Sequence, residues 1–101
     1  MILYNVTINI DQNVESDWVH WMKTVHIPDV MATGLFESYK FYKLLHEMEG
    51  GGINYSAQYF AKSIEDINIY MEQFAPKLQA DVKARYQDKY ITFSSLLEEV
   101  I

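Results

Sequence analysis

Ile2, Tyr4, Val6, Ile8 and Ile10 alternate with Leu3, Asn5, Thr7 and Asn9, the period-two spacing of a strand with one apolar face. The period then changes. Val14, Trp18, Trp21, Met22 and Val25 recur at helical spacing, and Asn13 before them with Glu15 and Asp17 in the first turn marks a helix start. This predicts a helix over 14–25. His26-Ile27-Pro28 is expected to break it, because the residue before a proline disfavours the helical conformation, and Pro28 opens a short turn that ends at Gly34. A strand over 35–46 mixes Phe36, Tyr39, Phe41 and Tyr42 with Glu37, Lys40 and Lys43. Glu49-Gly50-Gly51-Gly52 reads as a hairpin turn into a strand over 53–61. Ser63-Ile64-Glu65-Asp66 has the form of a capping box with Asp in place of Glu or Gln, and Ile64, Ile67, Met71, Phe74 and Leu78 follow at helical spacing. Pro76 restarts that helix, which runs to Tyr86; Gln87-Asp88 turns the chain into a last strand over 90–97.

The order strand, helix, strand, strand, helix, strand predicts one α+β domain over 1–101. Its fold class is ferredoxin-like βαββαβ, a four-stranded antiparallel sheet with both helical layers on one face. The other face is then the question. With the even residues of the first strand under the helices, Leu3, Asn5, Thr7 and Asn9 join Asn54, Ser56, Gln58 and Phe60 on an open, amphipathic surface. Such a face suits pairing with a second copy; the alternative is a monomer with a solvated sheet.

Composition sharpens this picture in three ways. In 101 residues half are hydrophobic, a generous supply for one small core, which also favours burial against another chain. A net charge of -6 with eight scattered basic residues argues against nucleic acid as a partner. No cysteine is present, which removes disulfides, thiolate metal sites and cysteine nucleophiles and suits the cytoplasm. The alternating N-terminus lacks the form of a signal peptide and no stretch reaches membrane-spanning length, so no membrane partner is expected.

His26 is the one residue that stands out as a candidate catalytic group. At ~100° per residue it falls roughly 95° from the centre of the first helix's apolar stripe, a flank from which a side chain can reach a pocket. The competing reading is that it fastens the bend by hydrogen-bonding a backbone carbonyl or a carboxylate. His20 lies almost opposite the stripe and His46 near a strand end, where both read as solvated. Six residues separate His20 from His26, away from the i, i+4 geometry of a metal pair, and no metal site is expected. Glu98 and Glu99 point to opposite faces of a strand, and the triple glycine has no lysine or helix behind it to make a phosphate loop.

Trp18, Trp21, His26, Pro28, Gly34 and Phe36, in this order between the first two strands, resemble the dimeric α+β barrel superfamily, which includes antibiotic-biosynthesis-type monooxygenases, EthD-like proteins and haem-degrading enzymes. HIPDVMATGLF, the glycine turn before YSAQYFA, and SIEDINIYMEQFAPKL are similar to an uncharacterised bacterial domain-of-unknown-function family within it, over nearly the whole chain. The resemblance implies the fold, a homodimer through the open sheet face, and a ligand cavity between sheet and helices lined by Tyr4, Trp18, Trp21, Tyr55 and Tyr59. Filling the core is the more frequent role of such aromatics. A reaction is not implied. Three readings follow. The first is a cofactor-independent enzyme, monooxygenase- or isomerase-like, acting on an apolar or aromatic metabolite with His26 as general acid/base. The second is a non-catalytic dimer with a filled core. The third is haem ligation by His26, against which stands the absence of a histidine on the helix from which the haem-degrading relatives generally draw their ligand. No cofactor is expected.

Overall fold

The computed structural model describes residues 1–46 and 50–101. Strands β1 (Ile2–Ile10), β2 (Ser38–Lys43), β3 (Ile53–Ala61) and β4 (Tyr90–Glu98) form one sheet in the order β2-β3-β1-β4. Every pairing is antiparallel, so the fold is the expected ferredoxin-like α+β arrangement. The alternation in β1 does what its pattern requires. Tyr4, Ile8 and Ile10 are buried beneath the helices with Tyr55, Ala57, Tyr59 and Ala61 of β3, because successive strand residues point to opposite faces. The second strand is shorter than the expected 35–46. Its ladder runs Ser38–Lys43, and single backbone bonds from Glu37 to Phe60 and from Leu44 to Asn54 continue it at each end. In the turn before β3, Gly50, Gly51 and Gly52 all adopt positive φ; Glu49 of the predicted turn lies outside the described residues. A Cβ at Gly52 would collide with the side chain of Asn9, whose amide donates to Asn54 Oδ1 at 2.9 Å and pins the hairpin to β1.

The first helical layer departs from expectation at its centre. Helix α1 (Glu15–Trp21) does not break at Pro28 but continues through a π turn (Met22–His26) into α2 (Ile27–Met31). The Ile27 N–H donates to the Met22 carbonyl five residues back, the spacing of a π turn, and Thr24 Oγ1 back-bonds to the His20 carbonyl at 2.8 Å. Pro28 then falls in the first turn of α2, and because the helix runs on through it, its missing N–H leaves one backbone bond of the preceding turn unmade, at the place where the spacing already widens. The wider turn delays the helix by about one residue. Val25, placed on the apolar stripe by strict helical spacing, is 40% exposed, while Ile27 and Val30 are buried.

The second layer is α3 (Ile64–Gln73) and α4 (Ala75–Tyr86). The Ser63 hydroxyl accepts from the Asp66 N–H at 3.3 Å, as its cap pattern predicts. Phe74 links the two helices, and Pro76 falls in the first turn of α4. Two polar ties hold the layers together. Tyr86 donates to Asp17 Oδ2 at 2.8 Å, and Tyr55 donates to Glu15 Oε2 at 2.6 Å.

Candidate functional site

A cavity of about 470 Å³ lies between the helices and the β1–β3–β4 part of the sheet. Its origin is legible in the register. Ala57 of β3, Val6 of β1 and Ser94 of β4 lie side by side across three strands, and all three line the void. Small side chains in one row leave a trough that larger ones would fill, since interiors otherwise close to crystal-like density. Helix α4 spans the trough with Leu78, Gln79, Ala80, Val82 and Lys83, while Trp18, Met22 and His26 reach it from the first helical layer.

His26 owes its position to the π turn. It stacks on Trp21, five residues earlier, with ring centroids 5.3 Å apart and planes at 27°. Five residues of regular helix would separate the two side chains by about 140°, whereas a π turn brings them over one another. No side-chain hydrogen bond holds the imidazole among the described residues, so neither carbonyl nor carboxylate fastens it to the bend. Burial lowers its pKa, against the opposing pull of Asp29 and then Asp81. The ring is therefore neutral at pH 7, with two carboxylates close enough to favour a proton when one arrives.

The tyrosines separate into two groups. Tyr4 and Tyr59 line the cavity together with Tyr70, which sequence reading left out. Phe36 packs among them, 5.3 Å from Tyr59 and 5.0 Å from Tyr70 between ring centroids. Tyr59 is 2% exposed, and its hydroxyl has no hydrogen-bond partner among the described residues. An unpaired buried hydroxyl costs on the order of 1–3 kcal/mol. Burial raises the pKa of Tyr4, Tyr59 and Tyr70, so all three phenols keep their protons. Ser94 and Gln79 face the Tyr4 hydroxyl and partly offset that rise.

Tyr55 and Trp21 do not line the void. Tyr55 is engaged with Glu15, whose carboxylate also pairs with Lys43 at 3.1 Å, and its ring packs against Trp18 and Phe41. Trp21 backs His26 from outside, with Tyr86 at its edge and the Arg85 guanidinium 5.7 Å above its ring. His20 and His46 are exposed. Of the residues that line the void, Tyr70, Gln79, Thr92, Ser94 and Lys83 had no place in the sequence reading. Tyr70 carries a usable signal, lying three residues after Ile67 on the same helix face, but the polar residues of β4 acquire meaning only from the register. Among the described residues no cluster of three or more His, Cys, Asp or Glu could hold a metal ion. No helix among the described residues is long and apolar enough to cross a membrane.

The sheet order, the one-sided helical cover and the cavity beneath it define the class: a ferredoxin-like α+β protein with the fold of the EthD-like and antibiotic biosynthesis monooxygenase-like dimeric α+β barrel proteins. An EthD family protein from Bacillus halodurans is similar at a TM-score of 0.73 and 11% identity, over 99% of this chain and 100% of that one. An MhuD mutant with two manganese protoporphyrin IX molecules bound per active site is similar at 0.65 and 14%, over 100% and 96%. An antibiotic biosynthesis monooxygenase follows at 0.64 and 11%, over 100% of both chains. These identities speak to the fold alone. No curated protein matches the sequence. The model of the Domain of unknown function (DUF4286) matches residues 1–100, and the chain belongs to that family.

Proposed function

We propose that this protein binds an apolar or aromatic small molecule in the cavity beneath α4, as a homodimer, and acts on it without a cofactor. The observation that carries the reading is the buried Tyr59 hydroxyl, unpartnered among the described residues, on a void that also meets His26. A plain core would have filled the space or paired the phenol. A bound oxygen that accepts from Tyr59 offsets the desolvation of that group. His26 is neutral, and its imidazole makes no side-chain hydrogen bond among the described residues. It takes a proton from the ligand as general base, and Asp29 and Asp81 stabilise the imidazolium that forms. Protonated Tyr4 and Tyr59 donate to an oxygen on which negative charge develops. Trp18 and Met22 supply an apolar wall, the role in ligand contact expected of Trp18. Trp21 and Tyr55 act one layer out, by holding His26 and Trp18.

The test is a panel of aromatic alcohols, ketones and acids followed by thermal shift and calorimetry. Binders are expected to raise Tm in the wild type and to lose their effect in Ala57→Leu, which fills the trough. Turnover of a binder is expected to fall at least a hundredfold in His26→Ala with binding retained. If Ala57→Leu binds as the wild type does, the cavity is not the site. Full turnover in His26→Ala leaves a binding protein without this chemistry. Added haem is expected to give no Soret band that depends on His26; such a band would replace acid–base chemistry with haem ligation.

A further inference from the structure

The ligand's charge is written in the cavity wall. Among the described residues no Asp or Glu lines the void, although acids outnumber bases fourteen to eight in the chain. One lysine does line it. Lys83 of α4 reaches the void and makes no ion pair among the described residues. The neighbouring charges have ion-pair partners of their own, although the field of Asp81 also reaches His26. Asp81 pairs with Lys77 at 3.3 Å one turn back along α4, and residues two apart on a helix do not face one another. Arg85 is held by Asp17 at 3.4 Å. The inner wall adds three phenols that act as hydrogen-bond donors, Tyr4, Tyr59 and Tyr70.

From this arrangement we infer that the cavity selects an anionic aromatic, a planar apolar body carrying a carboxylate or acidic phenol, with the negative group held by Lys83 and its apolar part against Trp18 and Met22. The inference rests on the cavity being the ligand site and adds the sign of the ligand's charge. It runs against the molecule's overall field. A net charge of -6 repels an anion at long range, so any preference for negative ligands must come from the local wall. A cationic or neutral ligand would gain nothing from Lys83.

The experiment measures naphthoate, naphthamide and naphthylmethylamine by titration calorimetry against the intact protein, Lys83→Gln and Tyr59→Phe. These probes share one ring system and differ in charge. Naphthoate is expected to bind at least tenfold more tightly than naphthamide, with the amine weakest. The advantage should shrink in high salt and vanish in Lys83→Gln, an exposed site where the change leaves the fold intact. Tyr59→Phe should weaken naphthoate without reversing the order of the three. Equal binding of naphthoate and naphthamide would overturn the charge preference and leave the cavity reading standing. An anion preference that survives in Lys83→Gln would overturn the role of that residue. Failure of all three probes to bind would count against the cavity as a ligand site, and the charge preference would fall with it.

Discussion

Two residues carry most of what can be tested singly. Tyr59→Phe removes a buried hydroxyl that has no partner among the described residues and keeps the ring among Tyr4, Phe36 and Tyr70, so it should stabilise the free protein by about 1 kcal/mol while weakening ligands that accept a hydrogen bond. Urea unfolding of the two proteins measures the first effect; a loss of stability would mean that the phenol has a partner in solution. His26 makes a prediction in pH. Its pKa is lowered from 6.5 in the folded protein, so below pH 6.5 the unfolded chain binds the proton more readily and stability falls with pH until the folded pKa is passed. Its full contribution is present above pH 6.5. His26→Gln should flatten that part of the stability profile, and a slope unchanged by the substitution would assign it to other groups. The tyrosines act at the other end. Their raised pKa values, those of Tyr55, Tyr59 and Tyr70 foremost, hold stability below pH 10 and lose it as pH rises beyond the point where unfolded tyrosines ionise.

Among the elements, the π turn is where sequence and structure part. A helical period of 3.6 placed Val25 on the buried stripe and Pro28 at a break, yet the chain inserts one wide turn, exposes Val25, and resumes with Ile27 and Val30 inside. Periodicity cannot signal a single extra residue, because each half of the helix still fits the template by itself. This yields an asymmetric prediction for deletions. Removing Val25 returns the helix to regular spacing with Trp18, Met22, Ile27 and Val30 on one stripe and His26 four residues after Trp21, so the fold should survive. Removing Val19 from α1 rotates everything beyond it by about 100° and should cost several kcal/mol, as core residues turn outward. Thermal melts followed by circular dichroism separate the two, and equal loss in both would refute the inserted-residue description. The strands and the Ser63 cap were legible because alternation and capping are local. Tyr4, Trp18, Tyr59 and His26 could be named from sequence and resemblance. Their division from Trp21 and Tyr55 could not, because it depends on which side of the first helical layer each ring packs.

For the whole molecule, the open sheet face supports the homodimer as part of the proposed function. Leu3, Asn5, Thr7 and Asn9 lie between Asn54, Ser56, Gln58 and Phe60 on one side and Ile91, Phe93, Ser95 and Leu97 on the other. None of these twelve is ionisable, in a chain of net charge -6. Ile91 is 73% and Phe93 67% exposed. On β2 the same face adds Ser38, Lys40 and Tyr42, with Lys40 set beside Gln58 and over the Phe60 ring. A face with one cation at its edge and bulky apolar residues along β4 is a surface that a second copy can cover at little electrostatic cost. Sedimentation equilibrium is expected to give twice the 11.9 kDa chain mass, and Phe93→Glu with Leu97→Glu a monomer that still folds. A wild-type monomer at high concentration would remove the dimer from the proposal.

The row Ala57, Val6 and Ser94 has a further consequence for how such a protein can diversify. Because the void originates in three side chains of the sheet, its size can be reset without altering the ladder of backbone hydrogen bonds that sets the strand register. Enlarging or shrinking any one of them, by a methyl or an isobutyl group, changes which molecules fit while the scaffold stays as it is. Under the proposed function, ligand choice then rests on a row of side chains and strand register on the backbone, and a lineage of such chains can change the first while conserving the second.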